Sequence, residues 1–148
     1  MSREFPERPI VGVGVIVFKG ADVLLVRRGK PPRAGEWSIP GGAQELGETV
    51  AEAAVREIRE ETGMEINVQG LVDVVDLIRP SDDPNRAGIR HHYTLVDLLA
   101  VWTAGVPVAG DDVTEACWMP VDGIGNLGLW SETVRVIGMA RTLLDRKS

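Results

Sequence analysis

Three glutamates, Glu57, Glu60 and Glu61, lie within the six-residue segment REIREE. On a helix, residues three or four positions apart lie on neighbouring turns, so these carboxylates would stand side by side and repel each other. They would also lie near the helix C-terminus, where the helix dipole disfavours anions. A hard divalent cation such as Mg²⁺, which takes carboxylate and phosphate oxygens as ligands, would remove both penalties. The alternative is a solvated acidic face that Arg56 and Arg59 partly neutralise.

The helix that would carry the glutamates is predicted to run from Thr49 to Thr62. Thr49 with Glu52 three residues later forms a capping box, and Gly63 fits a left-handed C-terminal cap. A helical row of apolar residues, Val50, Ala54 and Ile58, predicts the buried stripe of the helix. Ala51 and Val55 would widen this stripe.

The rest of the chain is predicted to form strands and a second helix. β-Branched and apolar runs predict strands over 10–19, 23–28, 66–79, 89–102 and 115–121, and a helical period predicts a helix over 131–146. Segment 29–42 is rich in Pro and Gly and is predicted as a loop, like 80–88 and the turn at 106–112. With no repeats and no internal linker, the pattern predicts a single domain over 1–148, of the α/β or α+β class with a mixed β-sheet.

Composition restricts the partners and the surroundings of the protein. The net charge of −6 argues against stable binding to nucleic acid, which calls for a basic face. The single cysteine, Cys117, excludes an intramolecular disulfide framework and a multi-cysteine zinc site. The N-terminus lacks a signal-peptide pattern, and no run approaches the roughly 20 apolar residues of a membrane span. We therefore expect a cytoplasmic protein that does not bind membranes.

A longer pattern surrounds the three glutamates, from Gly42 to Met64. It reads G-x5-E-x7-R-E-I-x-E-E-x-G-M and resembles the signature of the Nudix hydrolases at every defined position. The preceding GEWSIPGG also looks like the usual approach to this Nudix box. The resemblance implies the α/β/α sandwich of that family and hydrolysis of a nucleoside diphosphate linked to another group.

The resemblance also implies roles for the residues of the box. The metal ligands would be Glu60, Glu61 and the carbonyl of Gly41, and the cation Mg²⁺, with Mn²⁺ as an alternative. Glu57 would be a ligand or the general base, and Arg56 would orient the carboxylates. The catalytic group is therefore Glu57, Arg56 and Glu61. The residues with structural roles in the box would be Gly42, Glu48 and Gly63.

Acids outside the box are candidates to complete the metal site. Asp112 and Glu115 precede Trp118 in the segment GDDVTEACW, and either could reach the metal from the loop that enters the last strand. We expect Asp112 to be the ligand, and a plain Asp-rich turn is the alternative.

Several residues outside the box are candidates for substrate contact. Arg27 and Arg28 lie in a basic stretch ahead of the box and could meet phosphates, although solubilising surface charge explains them equally well. Trp37 and Trp130 could stack on a base, with Glu132 beside the second of them. Both tryptophans also suit an ordinary core position.

The sequence leaves open which nucleotide is bound and whether it is cleaved. Pro80 lies 16 residues after Met64, close to where members acting on ADP-ribose tend to carry a proline, and the chain is most similar to short bacterial ADP-ribose pyrophosphatase-like proteins. We therefore expect ADP-ribose or a related nucleotide sugar. The alternatives are an (oxidised) nucleoside triphosphate, cleaved with release of pyrophosphate, and a non-catalytic nucleotide sensor. Assembly as a homodimer is also left open.

Overall fold

Seven strands and two α-helices follow one another in the computed structural model, which describes residues 3–30 and 33–147. The strands are β1 (Ile10–Lys19), β2 (Asp22–Arg28), β3 (Trp37–Ser38), β4 (Gly41–Ala43), β5 (Glu65–Pro80), β6 (Ile89–Ala104) and β7 (Val113–Pro120). The helices are α1 (Val50–Thr62) and α2 (Ser131–Lys147), and a short 3₁₀ turn spans Val121–Asn126. Neither α-helix is long and apolar enough to cross a membrane.

The strands form one mixed sheet, as the sequence predicts. Its main path runs β3-β2-β1-β6-β5, with β4 paired to β1 and β7 paired to β2. β1 and β6 are parallel, from Ile10 opposite Tyr93 to Phe18 opposite Val101, and the other pairs are antiparallel. Because β1 pairs with β2 only at Phe18 and Lys19, its earlier residues are free to pair with β4.

Alternate side chains of the sheet enter two separate cores, because successive residues of a strand point to opposite faces. One face packs against α1 and buries Val13, Val15, Val17, Ala53, Ala54 and Ile58. The other packs against α2 and buries Ile16, Phe18, Leu99, Val136, Ile137 and Ala140. Full burial of each large aliphatic side chain contributes roughly 1.5–3 kcal/mol. The result is the expected α/β/α sandwich.

Helix α1 begins and ends as its sequence predicts. The hydroxyl of Thr49 accepts a hydrogen bond from the amide of Glu52, whose carboxylate accepts one from the Thr49 amide, both at 3.0 Å. Gly63 ends the helix with φ 72° and donates its amide to the carbonyl of Arg59. The predicted buried stripe of α1 included Ala51, and this prediction is wrong because Ala51 is exposed. The buried face of the helix instead includes Glu57 and Glu61.

The segment predicted as a loop contains two strands, β3 and β4. Their pairing is decided by the tertiary structure, since β4 lies against β1 with Gly41 opposite Gly14. A β-carbon on Gly41 would collide with the carbonyl of Val13, and its φ of 153° is one that other residues rarely adopt. Runs of two and three residues are too short to show a strand period, so the sequence gives no sign of them.

Candidate active site

Two of the three glutamates are buried between α1 and β4. Glu57 is 8% exposed and Glu61 is 6% exposed, whereas Glu60 is exposed to solvent. The amide of Gly41 donates a hydrogen bond to Glu61 Oε1 at 3.2 Å. A β-carbon on Gly42 would collide with the carboxylate of Glu57, so only glycine lets this carboxylate lie against β4.

The surroundings of the buried Glu61 carboxyl group disfavour its charged form. Burial raises the pKa of Glu61 to about 8, and the hydrogen bond from the Gly41 amide opposes this only in part. The charge of Glu57, a hydrogen bond between the two carboxyl groups and the charge of Asp111 raise the pKa of Glu61 further. Burial and the neighbouring negative charges therefore favour the protonated form of Glu61.

Arg56 connects the glutamates of the box. Its Nε and Nη2 donate to the two oxygens of Glu48 at 2.7 and 3.0 Å, and Nη2 also donates to the carbonyl of Ala43 at 3.1 Å. Its Nη1 donates to Glu57 at 2.9 Å and to Glu60 at 3.2 Å. These bonds hold the pKa of Glu48 below its usual value. Arg56 and Glu48 therefore form a fixed frame that orients the other two carboxylates.

The segment before β7 packs onto the C-terminal end of α1. The amides of Val108 and Gly110 donate to the carbonyls of Thr62 and Glu61 at 3.0 and 2.9 Å, which satisfies carbonyls that a helix end leaves without partners. The next residue, Asp111, has φ 53°, a conformation that Asp tolerates better than most residues. This turn brings the carboxylate of Asp111 close enough to raise the pKa of Glu61.

The two acids from outside the box that were expected near the metal, Asp112 and Glu115, form ion pairs with basic residues. Asp112 forms an ion pair with Lys30 at 2.6 Å, and Glu115 forms one with Arg27 at 3.4 Å. Asp111 is the acid of this loop that acts on Glu61. The Asp-Asp pair is present in the sequence, but only the tertiary structure shows that the charge of Asp111 acts on Glu61.

The chemistry of the donors fits a hard divalent cation. Carboxylate oxygens and a backbone carbonyl are the ligands that Mg²⁺ and Mn²⁺ prefer, and a cation beside Glu61 would favour its charged form. In the described part of the chain, no three acidic, His or Cys side chains are already arranged to hold a metal. Arg56 Nη1 forms ion pairs with Glu57 at 2.9 Å and with Glu60 at 3.2 Å.

Two of the residues expected to contact substrate lie together. The Arg27 guanidinium lies 5.4 Å from the centroid of the Trp37 ring, and its Nε donates to the carbonyl of Gly35 at 2.8 Å. Trp37 is half-buried and packs against the core on the α2 face. Arg28 is the last residue of β2, next to an irregularity in the pairing of β2 with β7.

The other two expected substrate residues lie where α2 begins. Trp130 is half-buried against the same α2-face core as Trp37. Glu132 accepts a hydrogen bond from Arg135 Nε at 2.7 Å, and Arg135 also pairs with Asp73 of β5 at 2.9 Å. Glu132 is therefore engaged within the protein.

Sequence reasoning missed one buried acid, Asp97 in the centre of β6. It is 6% exposed, and burial together with the charge of Asp73 raises its pKa to about 6, while Arg135 opposes the rise. The signal was available: a lone Asp in the apolar run LVDLLAV. A charged residue in the middle of a buried strand is rarely tolerated without a reason.

Comparison with known proteins identifies the class of protein. The NUDIX domain pattern matches residues 8–137, so the chain belongs to the Nudix family. An ADP-ribose pyrophosphatase from Methanocaldococcus jannaschii is 37% identical over 126 residues, which cover 85% of this chain and 70% of the relative. A putative ADP-ribose pyrophosphatase, YjhB, from Bacillus subtilis is 32% identical, and the match covers 77% of this chain and 51% of that protein.

Solved structures agree with this assignment. A MutT NUDIX hydrolase from Burkholderia pseudomallei matches with a TM-score of 0.74 and 29% identity, over 90% of this chain and 98% of that one. The NUDIX domain of Shewanella oneidensis NrtR, solved with ADP-ribose, shares the fold with a TM-score of 0.73 and 21% identity, over 93% of this chain and 90% of that domain. The protein is a Nudix hydrolase, as the resemblance of its box predicted.

Proposed function

We propose that this Nudix hydrolase uses Mg²⁺, with Mn²⁺ as a substitute, to cleave the diphosphate of ADP-ribose or a related nucleotide sugar. The observation that carries the metal-dependent chemistry is the pair of buried carboxyl groups of Glu57 and Glu61 against the backbone of β4, where the Gly41 amide donates to Glu61 and Gly42 leaves room for Glu57. Such a pair is costly to the fold unless a cation compensates it, and this conflict between stability and local charge marks a functional site.

The residues of the box have different roles in this proposal. Gly41, Glu60 and Glu61 would hold the cation, and we propose Asp111 in place of Asp112 as the acid from outside the box, because the charge of Asp111 acts on Glu61. When bound, the cation would neutralise phosphate charge and lower the pKa of the attacking water.

The proton of the attacking water passes to a carboxylate of the box, for which we propose Glu57. Its carboxylate is held by Arg56 Nη1 at 2.9 Å, and Arg56 is itself fixed by two bonds to Glu48. The water oxygen forms a bond to phosphorus as the bridging P–O bond breaks. From ADP-ribose the products are AMP and ribose 5-phosphate.

The relatives support the choice of substrate. The archaeal protein that is 37% identical is an ADP-ribose pyrophosphatase, and its match covers most of both chains. Arg27 and Trp37 lie side by side on the α2 face, where a cation and an aromatic ring suit a phosphate and a base.

A substrate panel with and without EDTA tests the proposal. We expect ADP-ribose to be turned over with Mg²⁺, to give AMP and ribose 5-phosphate, and EDTA to abolish the reaction. Pyrophosphate as the product, from a nucleoside triphosphate in the panel, would replace this substrate with the triphosphate alternative. Turnover that is indifferent to EDTA, or turnover of no compound, would contradict the proposed chemistry.

A matched pair of variants tests the role of Glu57. Glu57→Gln should lower kcat by roughly 10²–10⁴, the usual range for a positioned acid–base group. Glu65→Gln removes an exposed carboxylate that pairs with Arg59 and should leave kcat unchanged. A near-normal kcat in Glu57→Gln would refute its assignment as the base.

A further inference from the structure

The segment from Gly105 to Asp112, which joins β6 to β7, crosses the C-terminal end of α1 and is fixed at both of its own ends. At its start, the indole Nε1 of Trp102 donates a hydrogen bond to the carbonyl of Gly105 at 2.9 Å. At its end, the amide of Gly29 donates to the carbonyl of Asp112 at 2.8 Å. The segment is therefore held by β6 on one side and by the residue that follows β2 on the other.

Backbone contacts, and not side chains, hold the middle of this segment on α1. Val106 and Val108 are 76% and 67% exposed, so they bury little apolar surface. The contact consists instead of the hydrogen bonds from the amides of Val108 and Gly110 to the carbonyls of Thr62 and Glu61. Hydrogen bonds of this kind require the two backbones to come within about 3 Å of each other.

Gly110 lies too close to α1 for any side chain. A β-carbon at this position would lie 2.7 Å from the carbonyl oxygen of Glu60, a distance that real β-carbons essentially never show. That oxygen belongs to the backbone of the helix, so it cannot rotate away as the end of a flexible side chain could. Gly110 does not have a positive φ, so glycine is required here by the contact and not by the backbone conformation.

Gly110 also begins the turn that carries Asp111. Its carbonyl accepts a hydrogen bond from the amide of Val113 at 3.2 Å, so Asp111 and Asp112 are the inner residues of a four-residue turn. The Gly110 amide is bound to the carbonyl of Glu61 at 2.9 Å, so this turn starts at the residue on which the charge of Asp111 acts. A side chain on Gly110 would push the start of the turn off the helix. It would carry Asp111 with it, because the peptide unit that joins them is rigid.

We propose that Gly110 is a positioning residue for the metal site, which acts by placing the carboxylate of Asp111 beside that of Glu61. The proposal rests on the proposed function, in which Glu61 and Asp111 serve the same cation. The absence of a side chain at Gly110 lets the segment approach the helix, and this approach brings an acid from outside the box to the acids within it. Gly110 contributes no ligand atom in this role, so its replacement should change metal affinity through Asp111.

Binding of Mn²⁺ in the absence of substrate tests the proposal without relying on turnover, and the electron paramagnetic resonance signal of the free ion measures it. Gly110→Ala should raise the Kd for Mn²⁺ about tenfold, the lower end of the range for groups that orient metal ligands. Gly125→Ala is the matched control and should keep the wild-type Kd, because a β-carbon at Gly125 would meet no atom of the described residues within 4 Å. An unchanged Kd in Gly110→Ala, with the variant shown to be folded by urea unfolding, would overturn the proposal.

A double-mutant cycle separates an effect through Asp111 from a general disturbance of the helix. Asp111→Asn should by itself raise the Kd for Mn²⁺ about tenfold. In the Asp111→Asn background, Gly110→Ala should add less than about twofold, because changes that act through one shared contact are not additive. If the two losses multiply instead, Gly110 acts on α1 directly and the proposal is wrong.

Two further results separate this proposal from the proposed function. An unchanged Kd in Asp111→Asn overturns the role of Gly110 even if Gly110→Ala does not fold. A wild type that binds Mn²⁺ but does not turn over ADP-ribose counts against the proposed substrate and not against Gly110. A wild type that binds no Mn²⁺ contradicts the proposed metal chemistry, and the role of Gly110 with it.

Discussion

Replacing Glu61 with Gln should make the cation-free protein more stable at alkaline pH while abolishing its activity. In the wild type the folded protein keeps a proton on Glu61 up to a pKa of about 8, because the carboxyl group is buried beside Glu57. The unfolded chain loses that proton near pH 4.5, the ordinary value for Glu. The folded state therefore binds more protons than the unfolded state between these two values, and its stability falls as the pH rises through them.

The size of the effect follows from the shift in pKa. Each pKa unit corresponds to about 1.4 kcal/mol, so a shift of this size makes the free energy of unfolding roughly 3 to 5 kcal/mol lower at pH 8.5 than at pH 4.5. Gln cannot ionise and is of the same size, so Glu61→Gln removes this loss. We expect the difference in free energy of unfolding between variant and wild type to grow in favour of the variant from pH 5 to pH 8.5.

Urea unfolding in EDTA at a series of pH values measures this difference. Comparing variant with wild type cancels other groups that titrate in the same range, such as Asp97. Glu65→Gln, which removes an exposed carboxylate, should follow the wild type at every pH. Mg²⁺ at pH 8.5 should restore stability to the wild type more than to Glu61→Gln. If the gap between Glu61→Gln and wild type is the same at pH 5 and pH 8.5, the folded protein does not keep a proton on Glu61 in this range.

Three further substitutions test separate parts of the structure. Gly42→Ala places a methyl group against the Glu57 carboxylate and should lower kcat/KM by about 10², because a small displacement of a catalytic group has a cost of this order. The circular dichroism spectrum should not change, and full activity would contradict the contact. Asp111→Asn should raise the Mg²⁺ concentration needed for half-maximal activity more than Asp112→Asn does, because only Asp111 acts on Glu61; the reverse order in a magnesium titration would restore Asp112 as the ligand. Thr49→Ala removes the helix cap and should lower the free energy of unfolding by about 1 kcal/mol in urea, with kcat preserved.

Much of this protein can be read from short stretches of its sequence, because local rules govern them. The capping box at Thr49 and the left-handed cap at Gly63 depend on neighbouring residues alone, so α1 is found where it was predicted. The spacing of the box residues puts the glutamates on adjacent turns of that helix, and its resemblance to the Nudix signature identifies the family that the comparisons show.

The tertiary structure decides how those residues are used, because burial and pairing depend on segments far apart in the chain. In the sequence, Glu57 and Glu61 indicate a polar helix face, yet in the structure β4 covers both side chains. The backbone of β4 can approach α1 and β1 this closely because Gly41 and Gly42 have no side chain. The charge of Asp111 acts on Glu61 because the segment before Asp111 packs onto the end of α1. The position of the Asp97 carboxylate over Gly14 likewise depends on the pairing of β1 with β6, which no local pattern encodes.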